Sequence, residues 1–308
     1  PTFPHAVPPE HAVDTAAWDA TWLVGGAIER WSGPREAVRS PVCVDDGAGG
    51  ITPVVLGHTP QLDGVAALEA LDAARTAWSD GRGAWPTMRA GERIERLEQF
   101  VTELGKVREP VVRLLMWEIG KARKDAESEL DRTVVYVRDT IEAAKELDRA
   151  SSRFALDGGF LGQIRRAPLG TVLCMGPFNY PLNETYTTLI PALIMGNTVV
   201  SKLPKLGALL HLPILEALRA AFPPGVVNVI QGDGATVIGP IMARGDVDCL
   251  AFVGAGRVAN LLERQHPRPN RLRTISGLEA KNPAVILPSA DLDLAVAECV
   301  SGALSFNG

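Results

Sequence analysis

From Gly170 onward, short apolar runs alternate with helical stretches at close spacing, and this alternation leaves the chain few folds to choose from. Gly170 to Met175 reads as a short buried strand, Leu182 to Met195 as an apolar helix, Asn197 to Lys202 as a strand and Leu206 to Phe222 as a helix. The strands continue at Val226 to Ile230, Val247 to Val253, Arg273 to Ile275 and Ala284 to Leu287. Ala235 to Ala243, Arg257 to Arg264 and Leu292 to Leu304 read as helices. A helix between successive strands makes those strands parallel, joined by right-handed crossovers. Strands apolar on both faces fit burial between two helix layers. The expected fold class is α/β, a doubly wound parallel sheet, and such sheets take ligands at the carboxyl ends of their strands.

Upstream the pattern differs. The first sixty residues are rich in Pro and Gly, with short β-like runs such as Val54-Val55-Leu56, and read as irregular arm and strand. Val65 to Trp78, Met88 to Ile119 with a break near Pro110, and Lys121 to Arg149 read as helices. The last is dense in charges at three- and four-residue spacing, which predicts a solvated face. Arg153 to Ala155 and Gln163 to Arg166 flank Gly158-Gly159, a hairpin signal.

Several function classes are disfavoured. The net charge is -5 with no basic stripe, which argues against nucleic acid as a partner. No run of eighteen apolar residues is present, so no membrane-spanning helix is expected. The N-terminus lacks a basic start followed by an apolar stretch, the mark of a secretion signal. Cys43, Cys174, Cys249 and Cys299 form no C-x-x-C pair and no zinc spacing with histidine, so no metal site is expected. Cys174 and Cys249 lie in strand-like runs and read as buried, inert thiols, and the composition fits a reducing cytoplasm. The chain opens at Pro1 and closes within an element, and so reads as a piece of a longer protein.

Two glycine-rich turns follow strands: Gly232-Asp233-Gly234, and Gly254-Ala255-Gly256-Arg257-Val258-Ala259, which fits G-x-G-x-x-A. Glycine lets backbone N–H groups approach a phosphate, and a helix N-terminus favours negative charge. A tight strand-to-helix turn needs glycine for geometry alone, so both readings stand at this point. Lys202 ends a strand and Lys205 lies three residues on. At a strand's carboxyl edge a lysine can bond a ribose or phosphate; the plain alternative is a pair of solvated surface lysines.

Pro177-Phe178-Asn179-Tyr180-Pro181, between a strand and an apolar helix, resembles the oxyanion motif of the aldehyde dehydrogenase superfamily. Gly196-Asn197-Thr198-Val199-Val200, Pro224-Gly225-Val226-Val227-Asn228, Phe252-Val253-Gly254, Lys281-Asn282-Pro283 and Ala290-Asp291-Leu292-Asp293-Leu294 agree in order and spacing. The resemblance runs from about Val65 to Gly308. Within the superfamily the chain is similar to the NADP-dependent, non-phosphorylating glyceraldehyde-3-phosphate dehydrogenases, with Arg132 and Tyr180 at positions that help hold the substrate phosphate. An arginine fork suits phosphate oxygens; an ion pair between Arg132 and a neighbour such as Glu129 is the structural alternative.

The resemblance implies oxidation of a small-molecule aldehyde to the carboxylate. A cysteine thiolate attacks, Asn179 and a backbone N–H stabilise the oxyanion, hydride passes to the nicotinamide to leave a thioester, and a glutamate activates water to hydrolyse it and release the acid. It places Met175, Pro177, Phe178, Lys202, Lys205, Gly234, Gly254 and Ala255 around the cofactor. It implies a homo-oligomer, dimer or tetramer, assembled through a hairpin arm at 151–168. Residues 1–150 and 169–276 would form the dinucleotide-binding domain and 277–308 the start of a catalytic domain.

The chain departs from the family pattern in three places. The nucleophile is expected a few residues after Ser305-Phe306-Asn307-Gly308, and none of the four cysteines replaces it; Cys299, between Val296 and Val300 on a helix, reads as core. Where the family has Glu-Leu-Gly-Gly-Lys this chain has Gly277-Leu278-Glu279-Ala280-Lys281, which puts Gly277 at the glutamate position and shifts the carboxylate by ~7 Å along an extended segment. Glu279 either serves as the base or pairs with Lys281. Lys205 stands where many NAD-using relatives carry a glutamate, which favours NADP with NAD as the alternative, and Ala255 replaces a hydroxyl residue at the pyrophosphate turn. Three readings stay open: an NADP-dependent dehydrogenase of glyceraldehyde 3-phosphate, a dehydrogenase of a non-phosphorylated aldehyde, and an inactive nucleotide-binding homologue. The Leu292 to Leu304 helix would lack much of its packing partner and leave apolar surface exposed.

Overall fold

A computed structural model describes residues 3–305, so Phe306, Asn307 and Gly308 of the terminal Ser-Phe-Asn-Gly segment lie outside the described residues. The N-terminal part contains β1 (Thr21–Val24), β2 (Ala27–Arg30), β3 (Arg35–Asp45) and β4 (Ile51–Pro60), then helices α1 (Gly64–Trp78), α2 (Ala84–Thr87), α3 (Ala90–Lys106), α4 (Arg108–Ile119) and α5 (Arg123–Ser151). A short hairpin, β5 (Ala155–Asp157) and β6 (Phe160–Gly162), leads into the alternating region. That region runs β7 (Thr171–Met175), α6 (Asn183–Ile194), β8 (Thr198–Lys202), a 3-10 turn (Leu209–Ile214), α7 (Leu215–Ala221), β9 (Val227–Ile230), α8 (Gly234–Arg244), β10 (Cys249–Gly254), α9 (Gly256–Gln265), β11 (Arg273–Leu278) and α10 (Leu292–Leu304).

The sheet is doubly wound, in the order β11-β10-β7-β8-β9-β1-β2. The five strands β7 to β11 are parallel, as expected. Alternate residues of each strand feed opposite cores. Val172, Cys174, Val199, Val227 and Ala251 join the core under α3 to α7. Leu173, Val200, Ile230, Leu250 and Phe252 join the core under α1, α8 and α9.

Several local expectations need correction. The N-terminal residues are more than an irregular arm: β1 pairs antiparallel with β9 through Leu23 and Val229, and β2 extends the edge. The remaining two strands, β3 and β4, form a long separate hairpin. The break between α3 and α4 falls at Val107, while Pro110 sits in the first turn of α4, where its missing N–H leaves no bond unmade. The 206–222 helix is split into a 3-10 turn and α7, with Pro213 inside the turn. The hairpin around Gly158-Gly159 is tighter than its flanking residues implied. Ala284 to Leu287 form no strand; the stretch is exposed and has no ladder partner.

α10 forms where expected, with Asp291 as N-cap accepting from Leu294 N at 3.1 Å. It buries no residue. Leu292 and Leu304 are each 70% exposed, and Cys299 is exposed rather than packed in a core, because among the described residues no element buries a face of the helix.

Candidate functional site

The chain leaves β7 for β8 and β9 on one side and returns through β10 and β11 on the other, so β7 and β10 flank the point where the winding reverses. A crevice opens at the carboxyl ends of strands at such a switch. Met175 ends β7 and lies in register with both Lys202 of β8 and Phe252 of β10. The segments that leave this edge carry Pro177, Phe178, Asn179 and Tyr180 after β7, Lys205 after β8, Gly234 after β9, Ala255 after Gly254 of β10, and Glu279 after β11. Gly176 lets α6 sit directly behind the end of β7: a Cβ there would lie 2.1 Å from Thr185 Oγ1 and 2.7 Å from Thr185 Cα.

The turn between β10 and α9 accepts an anion. Ala255 is the N-cap and contributes no side-chain bond, so the first helical N–H groups depend on other partners. Gly256 N–H donates to Glu279 Oε2 at 2.6 Å. Glu279 therefore turns toward the α9 N-terminus, and the alternative of a pair with Lys281 gives way to this bond. Its own N–H and that of Gly256 hold the carboxyl below the usual range. The Gly256 N–H thus bonds a carboxylate oxygen at a helix start, where the helix dipole favours negative charge.

The two lysines differ in environment. Lys202 is buried, which overturns the solvated reading for it. Burial lowers its ammonium pKa, the Asp233 charge opposes that shift and the Lys205 charge adds to it. Lys205 is exposed and its ammonium lies 3.5 Å from Glu36 Oε1 on β3. Asp233 caps α8, accepting at Oδ2 from Thr236 N at 3.0 Å and from Thr236 Oγ1 at 3.1 Å.

The loop bearing Asn179 is held from behind by buried polar groups. Glu129 on α5 accepts from Leu182 N at 3.0 Å and Asn183 N at 3.1 Å through Oε1, while Oε2 lies 2.5 Å from Lys121 Nζ. The Lys121 ammonium also sits 4.0 Å from the centre of the Tyr180 ring. His211 Nε2 donates to the Pro181 carbonyl at 3.1 Å, and its ring stacks on Tyr186. Glu118 clamps the next connection, accepting from Ala208, Leu209 and Leu210 N–H groups at 2.8, 3.1 and 3.1 Å. Burial pushes Glu118 up to about 7 against its hydrogen bonds from backbone N–H groups. Sequence reading missed this framework. Its one signal was Glu118 and Lys121 bracketing Ile119-Gly120 at the end of an apolar helix.

His211 gives a pH prediction. Burial depresses it from 6.5 to about 3. A depressed histidine contributes stability that is fully present above its unfolded pKa and is lost as pH falls toward the folded value. Between about pH 6.5 and 3 the loss is about 1.4 kcal/mol per pH unit. In urea titrations at pH 7 and pH 5, the wild type should lose about 2 kcal/mol more than His211→Gln. An equal loss in both would show that His211 is not held neutral.

The model of the aldehyde dehydrogenase family matches residues 50–308. The chain belongs to that family. The NADP-dependent glyceraldehyde-3-phosphate dehydrogenase of Streptococcus equinus is 34% identical over 73% of this chain and 48% of its own length. The cytosolic aldehyde dehydrogenase 1 of Elephantulus edwardii is 31% identical over 78% of this chain and 48% of its own. A crystal structure of the NADP-dependent glyceraldehyde-3-phosphate dehydrogenase of Bacillus halodurans C-125 in complex with NADP superposes with a TM-score of 0.77 at 29% identity, covering 93% of this chain and 58% of that one. The chain thus spans about half the length of the relatives it matches.

In this aldehyde dehydrogenase chain, Asn179 and Phe178 are exposed on the loop after β7. Arg132, on α5, lines an open cavity of about 540 Å³ with Lys124, Asp131, Asp139 and Asn183. The expected alternative, an ion pair with Glu129, is overturned because Lys121 takes that carboxylate. Burial raises the pKa of the Tyr180 hydroxyl, and the Arg132 charge opposes that shift. Cys174 and Cys249 are buried, as read from sequence; burial pushes both thiols up, Cys249 to about 11. Among the described residues no cluster of three His, Cys, Asp or Glu is placed to hold a metal, and no helix is long and apolar enough to cross a membrane.

Proposed function

We propose that this chain is the dinucleotide-binding part of an NADP-dependent aldehyde dehydrogenase, with NAD as an alternative cofactor and glyceraldehyde 3-phosphate as the leading substrate. The observation that carries the reading is the α9 N-terminus at the winding switch, which bonds a carboxylate, with the buried Lys202 at the end of β8 on the same sheet edge. Similarity to relatives that use NADP supports the choice of cofactor. Met175, Pro177, Phe178, Gly234, Gly254 and Ala255 would line the dinucleotide, and Lys202 and Lys205 would meet its ribose and phosphate. The bound cofactor supplies a hydride acceptor. Asn179 would donate its amide to the aldehyde oxygen as charge develops. Cys174 and Cys249, buried with raised pKa values, are poor candidates for the nucleophile.

Arg132, which lines one cavity with Asn183 and whose charge reaches the Tyr180 hydroxyl, supports a phosphorylated substrate. Loss of turnover when the substrate phosphate is removed would uphold that choice; indifference would favour a non-phosphorylated aldehyde. A second reading, nucleotide binding without turnover, is favoured by one observation: Glu279, the candidate base, bonds the α9 N-terminus. The hairpin of β5 and β6 exposes Phe154, Leu156 and Phe160, the last by 81%, which supports its use as an oligomerisation arm.

The test is a fluorescence titration of the chain with NADPH. Saturable binding is expected, and Lys202→Met should weaken it about 10- to 100-fold through loss of a charged hydrogen bond. No saturable binding of either NADPH or NADH would sink the assignment.

A further inference from the structure

Two cations and two carboxylates from four segments meet where the ribose and phosphate of the proposed cofactor would lie. Lys202 ends β8, Lys205 follows in the next loop, Asp233 caps α8, and Glu36 comes from β3. The substitution of lysine at position 205 argued for a 2′-phosphate, because it removes a carboxylate from the family's ribose-reading position. The fold brings a carboxylate from another element, that of Asp233, close enough for its charge to act on Lys202. Asp233 lies three residues past Ile230, the register partner of Lys202. Lys202 feels the charges of both Asp233 and Lys205. Glu36, 3.5 Å from the Lys205 ammonium, offsets the second cation.

Asp233 is well placed for selection because it is held in position. Its two bonds to Thr236 both fall on Oδ2. A carboxylate has about four acceptor positions, so capacity remains for a ribose hydroxyl. The side chain is exposed at the crevice edge and its carboxyl is held below the usual range by the Thr236 N–H, so it carries a full negative charge at neutral pH.

We propose that Asp233 is the residue that sets discrimination at the ribose 2′ position: it accepts a hydrogen bond from the 2′-hydroxyl of NAD and repels the 2′-phosphate of NADP. Lys202 and Lys205 attract that phosphate, and Asp233 opposes them, which keeps both dinucleotides acceptable. The inference rests on the dinucleotide reading above.

Asp233→Asn tests it. The amide oxygen can still cap Thr236 N, so the fold is retained while the charge is removed. Asp233→Ser is a second capping variant. NADPH and NADH are titrated separately against the wild-type chain, both variants, and Glu103→Gln as a control for overall charge. Both Asp233 variants should bind NADPH about 5- to 20-fold more tightly, with NADH unchanged or weaker. A ratio of the two dissociation constants that stays within about twofold of wild type would overturn the proposal, as would an equal gain in Glu103→Gln. If the wild-type chain binds neither nucleotide, the dinucleotide reading itself fails and takes this assignment with it.

Discussion

Replacing Glu129 with leucine is expected to destabilise the chain by about 3–5 kcal/mol, the cost of leaving one partner of a buried ion pair alone. Lys121 and Glu129 have side chains only 0% and 1% exposed. Loss of the carboxylate strands the Lys121 ammonium and also removes the acceptor for Leu182 and Asn183 N–H. The double variant Lys121→Met/Glu129→Leu should recover much of the loss, because it removes the unpaired charge and leaves only the two N–H groups unsatisfied. Urea unfolding of the wild type, each single variant and the double variant gives the coupling between the two residues. A cost below about 1 kcal/mol for Glu129→Leu would show that the pair does not anchor the Asn179 loop.

The second large effect concerns catalysis. In a polypeptide that includes the nucleophile, Asn179→Ala should lower kcat about 10²- to 10³-fold, the usual cost of one oxyanion donor. The same change should leave NADPH affinity unaltered. Because Asn179 is exposed, stability should change by no more than about 0.5 kcal/mol. The contrast between the two substitutions separates a group that acts on the reacting oxygen from one that only holds the loop. A kcat within about threefold of wild type would remove Asn179 from the mechanism.

The candidate site was legible where its elements are local. Strand, turn and helix at Gly254 to Ala259 announce an anion-binding helix start through glycine and periodicity alone, and the bond from Gly256 to Glu279 agrees with that reading. The Asn179 loop was found from a contiguous motif. What escaped was the support behind it. Glu129 looked like one more charge on a solvated helix, and as a partner for Arg132. Its burial depends on α6 packing against α5, more than fifty residues away in the chain. His211 sat in a stretch read as ordinary helix, and nothing local marks a histidine whose ring stacks on Tyr186 and holds the Pro181 carbonyl.

By itself the sequence determined the α/β class, the parallel winding of β7 to β11 and the loops that would carry chemistry, because hydrophobic period and turn chemistry act over a few residues. Only the tertiary structure decided that β1 and β2 complete the sheet, that Glu118, Lys121 and Glu129 are buried as anchors, that Lys205 faces Glu36, and that Glu279 bonds the α9 N-terminus. The reason is physical. A side chain's hydrophobic or polar character is encoded locally, whereas the partner of a charge is set by which distant segments the fold brings within a few ångströms, and the strength of that pairing depends on how much water packing removes.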